Sequence, residues 1–310
     1  MRTIKNFLKN ELTFYVKRIT KKYYIIRRSD LGAGFFSNYL WVLGHVVFAE
    51  KLGYIPVVDM ENYLTLYSEK EIVDGTKNAW NYYFQNVGKI SLEEAYKSRQ
   101  YVLGNNKYLT QYSDRYCEGI YRFPTDMAID FYTPYISKNM RIKENVLKKM
   151  DIDWKRLCEG RKKIAGVHVR GTDMKNNLGH PMPAPTEKYI DELKKILNVD
   201  EDYQAIYLAT DEMDIVRQFE KAFENTKVQV MYQSAFRSVN NMKEGKNVGI
   251  HEAIVKNPRR LHKYRLGLEV LEDAYILSKC NSLVCGHSNV TNVAVMWNNK
   301  MYERVLIVNE

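Results

Sequence analysis

The residues of this chain best suited to chemistry are His168, Arg170 and Asp173, within Gly166-Val167-His168-Val169-Arg170-Gly171-Thr172-Asp173. Ile164, Ala165, Val167 and Val169 form a short apolar run after the basic, turn-like Glu159-Gly160-Arg161-Lys162-Lys163, which predicts a buried strand. A histidine and an arginine two residues apart point to one face of such a strand, and the aspartate follows just past its carboxyl end. In open α/β sheets that edge is where ligands bind. A guanidinium there suits a phosphate, which it grips with two parallel hydrogen bonds. The same residues also allow a structural arrangement, an Arg170–Asp173 ion pair beside a satisfied core histidine.

The elements that must position these groups recur through the second half of the chain. A helix is expected from Pro185-Thr186-Glu187, a buried strand over Ala205–Asp211 and its helix over Glu212–Phe223. A strand over Val228–Tyr232, a strongly periodic helix over His262–Lys279 and a strand over Ser282–Gly286 follow. The last strand leads through His287-Ser288-Asn289 into a final helix ending near Trp297. Three strand ends thus present Arg170 with Asp173, Asp211, and Ser288 with Asn289 at one edge of a parallel sheet, an architecture suited to a nucleotide.

The first half begins with a strand at Tyr23–Arg28, a loop at Ser29–Asn38 bearing Gly32 and Gly34, a helix at Tyr39–Leu52 and a strand at Ile55–Asp59. This βαβ unit sets Ser37 and Asn38 near a helix amino terminus, where an anion is welcome. Residues 63–135 are rich in tyrosine, tryptophan and asparagine, with weak periodicity. Trp80, Tyr82, Tyr83 and Phe84 suit a core more than a sugar-stacking platform. Ile136–Lys149 reads as a basic-sided helix, and Asp151–Arg161 as the crossover between domains.

At 310 residues the chain is long enough for two domains, and 45% hydrophobic with 27% charged residues is globular rather than disordered. Forty-seven basic against 37 acidic residues give a formal charge of +10, which favours a polyanionic partner, an anionic membrane surface or a phosphorylated substrate. The basic residues are scattered and no nucleic-acid motif is present, which argues against a nucleic-acid binder. Cys117, Cys158, Cys280 and Cys285 have no zinc or redox spacing and read as reduced core thiols. No run reaches the ~18 apolar residues of a membrane helix, and no signal-peptide core is present. The expectation is a cytoplasmic protein. A basic amphipathic helix near the amino terminus, with Ile4, Phe7, Leu8, Leu12, Tyr15, Val16 and Ile19 on one face, could rest on the anionic inner face of the membrane or dock on the protein itself.

Three segments together carry a family resemblance. Gly166–Asp173, Tyr207-Leu208-Ala209-Thr210-Asp211 and Leu283-Val284-Cys285-Gly286-His287-Ser288 resemble, in this order, the three peptide motifs of the α1,6-fucosyltransferase and protein O-fucosyltransferase superfamily. Gly32–Asn38 resembles that family's glycine loop. The resemblance covers the carboxyl-terminal half and the first ~30 residues of the amino-terminal domain, leaving residues 63–161 unmatched. It implies an α/β GT-B fold, two Rossmann-like domains facing across a cleft, divided as a basic segment 1–28, an acceptor-side domain 29–158 and a nucleotide-sugar domain 159–310.

The resemblance further implies an inverting transferase with GDP-fucose as co-substrate, a saccharide or glycolipid acceptor and no essential metal. Arg170 matches the arginine on the donor β-phosphate, His168 a histidine at the nucleotide and Asp211 the carboxylate at the guanine edge. Ser288 and Asn289 match diphosphate ligands, and Gly34 and Asn38 belong to the loop that faces the nucleotide. Two departures stand out. Gly171 occupies the place of a second arginine, for which Arg259, Arg260 or Arg265 are candidate substitutes. The catalytic base has no clear match and is open among Asp173, His180, Glu187 and the amino-terminal domain. Other readings are a GT-B enzyme with a different nucleotide-sugar donor, and a non-catalytic polyanion binder.

Overall fold

The computed structural model describes residues 22–104, 120–171, 184–237, 242–243, 246–247 and 259–308. The basic amino-terminal segment, Cys117, Asp173 and His180 lie outside the described residues. The chain divides into two compact units, one holding residues up to 120 plus Pro134–Lys143, the other Tyr121–Thr133 and everything from Glu144 onward.

In the first unit, β1 (Tyr23–Ile26), β2 (Ile55–Val58) and β3 (Tyr101–Leu103) form a parallel sheet in the order β2-β1-β3. β1 is buried on both faces, as its unbroken apolar run requires. Tyr23 and Ile25 pack with Val57, Ile90 and Ala95. On the other face lies α1 (Phe35–Lys51), whose His45 and Phe48 rings contact Tyr24. α1 starts four residues before the expected Tyr39. Its first residues are drawn into an aromatic core: Phe35 meets Tyr83 edge-on at 4.9 Å, Trp80 stacks on Phe84 at 4.3 Å, and the Tyr67 hydroxyl accepts the Phe35 N–H at 3.0 Å. Trp80, Tyr82, Tyr83 and Phe84 are buried, so the aromatic stretch is core, as its composition suggested. A further helix, α2 (Leu92–Lys97), precedes β3.

The helix expected over residues 136–149 is two helices, α3 (Asp126–Asn139) and α4 (Glu144–Cys158). The break has a local cause. Arg141 C=O accepts the Gln85 N–H at 2.8 Å and Lys143 N–H donates to Tyr83 C=O at 2.9 Å, so this segment pairs with backbone instead of continuing the helix. α4 belongs to the second unit: Lys149 bonds Glu272 at 3.3 Å, and Tyr275 donates to Asp151. The second unit therefore takes in residues 144–158, which the sequence assigns to the first domain and its crossover.

The second unit is built on β4 (Ile164–Val169), α5 (Thr186–Val199), β5 (Ala205–Thr210), α6 (Met213–Phe223) and β6 (Gln229–Met231). These are followed by α7 (His262–Lys279), β7 (Ser282–Cys285), α8 (Asn289–Asn298) and β8 (Arg304–Ile307). The sheet is wholly parallel, in the order β8-β7-β4-β5-β6. Leu193, Ile196, Val216 and Phe219 of α5 and α6 cover one face through Ala165, Val167, Ile206 and Leu208. α7 lies against Gly166 on the other, with Leu277 and Cys280 at the glycine. Cys158, Cys280 and Cys285 are free, buried thiols, as expected. No helix among the described residues is long and apolar enough to cross a membrane.

Gly286, just past β7, is a close-packing position: a Cβ there would lie 2.5 Å from the Tyr189 hydroxyl oxygen of α5. Gly286→Ala should therefore lower the denaturant midpoint, and Tyr189→Phe, which removes that oxygen, should restore part of the loss in the double variant. A chemical-denaturation cycle with additive effects would refute this contact.

Candidate active site

The sheet order reverses between β4 and β7: the chain steps outward from β4 through β5 to β6, then returns to lay β7 and β8 on the other side. In doubly wound sheets the crevice beyond the strand carboxyl ends at such a point is the ligand site. His168 stands there near the end of β4, 7% exposed, with its Nδ1 3.4 Å from Ser288 Oγ. Ser288 opens α8. Its Oγ accepts the Thr291 N–H and Thr291 Oγ1 accepts the Ser288 N–H, each at 3.2 Å, so a capping box fixes the serine. An Nδ1 that accepts from the Ser288 hydroxyl leaves Nε2 as the ring's N–H donor.

Burial, then the charge of Arg170, pushes the His168 pKa down to about 3, so the imidazole is neutral at physiological pH. Arg170 follows, half-buried, just beyond the strand. Asn289, also half-buried, is the first residue of α8, where the helix dipole favours negative charge. The amide of Gly171 donates to Asp211 Oδ1 at 3.1 Å, tying the end of β4 to the end of β5. Five of the residues singled out from sequence, His168, Arg170, Asp211, Ser288 and Asn289, are thus gathered at one sheet edge. Glu187, exposed in the first turn of α5, was the remaining candidate base among the described residues.

Gly34 and Asn38 belong to the first unit and behave differently from each other. Gly34 precedes α1, and a Cβ there would meet nothing within 4 Å. Asn38 is buried inside the first turn, its amide donating to Ala33 C=O at 3.2 Å and its Oδ1 accepting from Arg28 at 3.3 Å. The side chain braces its own loop. Arg28, which the sequence reading passed over, is the charged group here, bonded to Ser37 Oγ at 3.0 Å and Asp30 at 3.2 Å and stacked over Trp41. Its position at a strand's carboxyl end before a glycine loop was the available signal.

Two further residues at the second unit's edge were not anticipated. Arg237 donates from Nε to Thr210 C=O at 3.1 Å and from Nη1 to Gln233 C=O at 2.9 Å, while its buried Nη2 has no hydrogen-bond partner among the described residues. Gln233 anchors this coil to α7 through Glu269 C=O and Asp273. Asp273 also accepts from Tyr207 at 2.7 Å; burial raises its pKa to about 6, with the Arg237 charge acting in the opposite direction. Arg237 sits in a coil with no periodicity to mark it. Among the arginines proposed to compensate for Gly171, Arg259 is engaged bidentately with Glu269, and Arg260 and Arg265 are exposed. Arg237 is the guanidinium that reaches the end of β5. The second residue is Glu212, which lies against Gly171: a Cβ on residue 171 would fall 2.3 Å from Glu212 Cδ.

Among solved structures, the α1,6-fucosyltransferase NodZ soaked with GDP-fucose is similar over 89% of this chain and 92% of its own, with a TM-score of 0.53 and 13% identity. The fucosyltransferase NodZ from Bradyrhizobium matches over 88% and 92%, with a TM-score of 0.52 and 13% identity. No protein-family profile and no curated protein matches the sequence. The chain has an α/β fold, that of the GT-B fucosyltransferases, as the motif resemblance implied.

The neutral state of His168 has a measurable consequence. Its folded pKa of about 3 lies below the unfolded value, so between the two the unfolded chain binds more protons and stability falls as pH drops. Between pH 7 and 5 this histidine alone should cost about 2 kcal/mol. His168→Gln should lose less stability than the parent over that interval in urea titrations; parallel pH profiles would contradict the assignment.

Proposed function

We propose that the protein is an inverting glycosyltransferase that moves fucose from GDP-fucose to a saccharide or glycolipid acceptor. The observation that carries this reading is the convergence of His168, Arg170 and the Ser288 helix start at the β4–β7 reversal, with Asp211 beside them at β5. Three kinds of positive or donor group meet there: a guanidinium, a neutral imidazole N–H and the positive end of a helix dipole. That set suits a diphosphate.

In the proposed reaction an acceptor hydroxyl attacks the anomeric carbon from the face opposite the nucleotide. The new C–O bond forms as the bond to the β-phosphate oxygen breaks, GDP departs, and the acceptor proton passes to a base. Negative charge grows on the departing diphosphate, so Arg170 binds it most strongly as the bond breaks, which is where catalysis is gained. His168, already neutral, donates without first losing a proton. The carboxylate of Asp211 suits the guanine N1 and N2 donors, and Asp173 is the proposed base. The NodZ structure soaked with GDP-fucose, which shares this fold, supports the donor class. The charge of +10 suits an acceptor carried on a lipid diphosphate at the inner face of the cytoplasmic membrane, with the basic amino-terminal segment resting on anionic lipid.

Gly171 in place of a second arginine keeps a second reading open, a GT-B transferase with another nucleotide sugar. One assay addresses both: donor hydrolysis and transfer with a panel of GDP- and UDP-sugars, in which GDP-fucose should be turned over fastest. Turnover of a UDP-sugar alone would establish the second reading, and binding of no nucleotide sugar would overturn both. Arg170→Ala should lower transfer by roughly 10²–10³-fold with an unchanged melting temperature; near-parental rates would remove Arg170 from the site.

A further inference from the structure

The geometry points to Glu212 as the residue that holds the ribose hydroxyls of the donor nucleotide. This rests on the nucleotide-sugar reading above and goes beyond it, since the motif resemblance assigns no role to this position.

The strand order supplies the first argument. Counting from β4, the second unit runs outward as first, second and third strands (β4, β5, β6), with the fourth and fifth (β7, β8) on the other side. That is the doubly wound order in which the diphosphate lies at the first strand's end and an acidic residue past the second strand bonds the ribose. β5 is the second strand, and Asp211 and Glu212 are the two acids that follow it. Their tasks differ. Asp211 uses Oδ1 on the Gly171 amide at 3.1 Å and so sets the spacing of the two strand ends. The Glu212 side chain runs back across that spacing.

Packing supplies the second. The Glu212 side chain lies over the backbone of residue 171, so close that a Cβ there would fall 2.3 Å from its Cδ, 2.5 Å from Oε1 and 2.6 Å from Cγ. Gly171 therefore makes room for a carboxylate at the rim of β4, one residue from Arg170. Glu212 occupies the cap position of α6 without its side chain capping that helix, in an extended conformation, with its N–H directed at Thr210 Oγ1 at 3.3 Å. A carboxylate has two acceptor oxygens side by side, which match the two adjacent hydroxyls of a ribose. With the diphosphate at His168, Arg170 and Ser288, the nucleoside runs over the end of β4 toward β5, and the ribose lies between diphosphate and base. Glu212 is on the β5 side of Arg170, away from Ser288, which suits the ribose and not the anomeric carbon.

The test is a ligand-by-variant cycle measured calorimetrically with GDP, 2′-deoxy-GDP, UDP and 2′-deoxy-UDP. The parent should bind the ribonucleotide about tenfold or more tightly than its deoxy analogue. Glu212→Ala and Glu212→Gln should weaken ribonucleotide binding by a similar factor, leave the deoxy analogue nearly unchanged and bring the ratio close to one. Gly171→Ala, which displaces the carboxylate while keeping it, should act in the same direction. A ratio that stays the same in both Glu212 variants, or a parent that binds GDP without preferring it over 2′-deoxy-GDP, would overturn the assignment. Discrimination between UDP and 2′-deoxy-UDP that Glu212 controls, without GDP binding, would uphold the ribose contact while refuting the guanine reading. Failure of the parent to bind any of the four would overturn both.

Discussion

A strand buried on both faces can place polar groups only at its ends, and that constraint organises the second unit. β4 is covered by α5 and α6 on one side and α7 on the other, with β5 and β7 as its neighbours. Its interior positions are accordingly Ile164, Ala165, Gly166, Val167 and Val169, and the polar residues cluster where the strand emerges. His168 is the one polar side chain drawn back into the covered region. Burial there is tolerable because the ring is neutral and one nitrogen has a serine hydroxyl as partner.

The electrostatics of the edge follow from this placement. Burial first, and then the charge of Arg170, keep the His168 ring neutral. Asp211 and Glu212 set negative charge on the β5 side, while Arg170 and the α8 start set positive or donor groups on the β4–β7 side. An elongated ligand with an anionic end and a hydroxyl-bearing, hydrogen-bond-donating end fits that polarity. Gly171 joins the two sides: its amide holds Asp211 and its missing Cβ admits Glu212. Gly171 stands where the motif it resembles carries a second arginine, and its missing Cβ leaves room for the Glu212 side chain.

The first unit shows the same principle with different residues. β1 is buried on both faces, and Arg28 emerges just past its carboxyl end, bonded to Ser37, Asn38 and Asp30 and lying over Trp41. A guanidinium held by four neighbours is oriented at little further entropic cost, as Arg237 is at the end of β5. Arg237 lies in a coil without hydrophobic periodicity, whereas Arg28 follows directly on the apolar run of β1.

The sequence by itself determined the parallel α/β class, the strands at β4, β5 and β7 and the three strand ends that meet, because a doubly buried strand must be an apolar run and its terminal polar residues are contiguous with it. The same logic makes Trp80, Tyr82, Tyr83 and Phe84 legible as core. Only the tertiary structure decided the rest. Asn38 turned inward because α1 begins at Phe35, where aromatic packing outweighed the turn signals of the glycine loop. The helix near residue 140 broke because backbone at Tyr83 and Gln85, far away in sequence, supplied its hydrogen bonds. Arg237 and Glu212 took their places through contacts with Thr210 and Gly171 that no spacing along the chain encodes. Local pattern reports how much of a segment is covered, whereas which side chain fills a gap depends on atoms brought together by the sheet order.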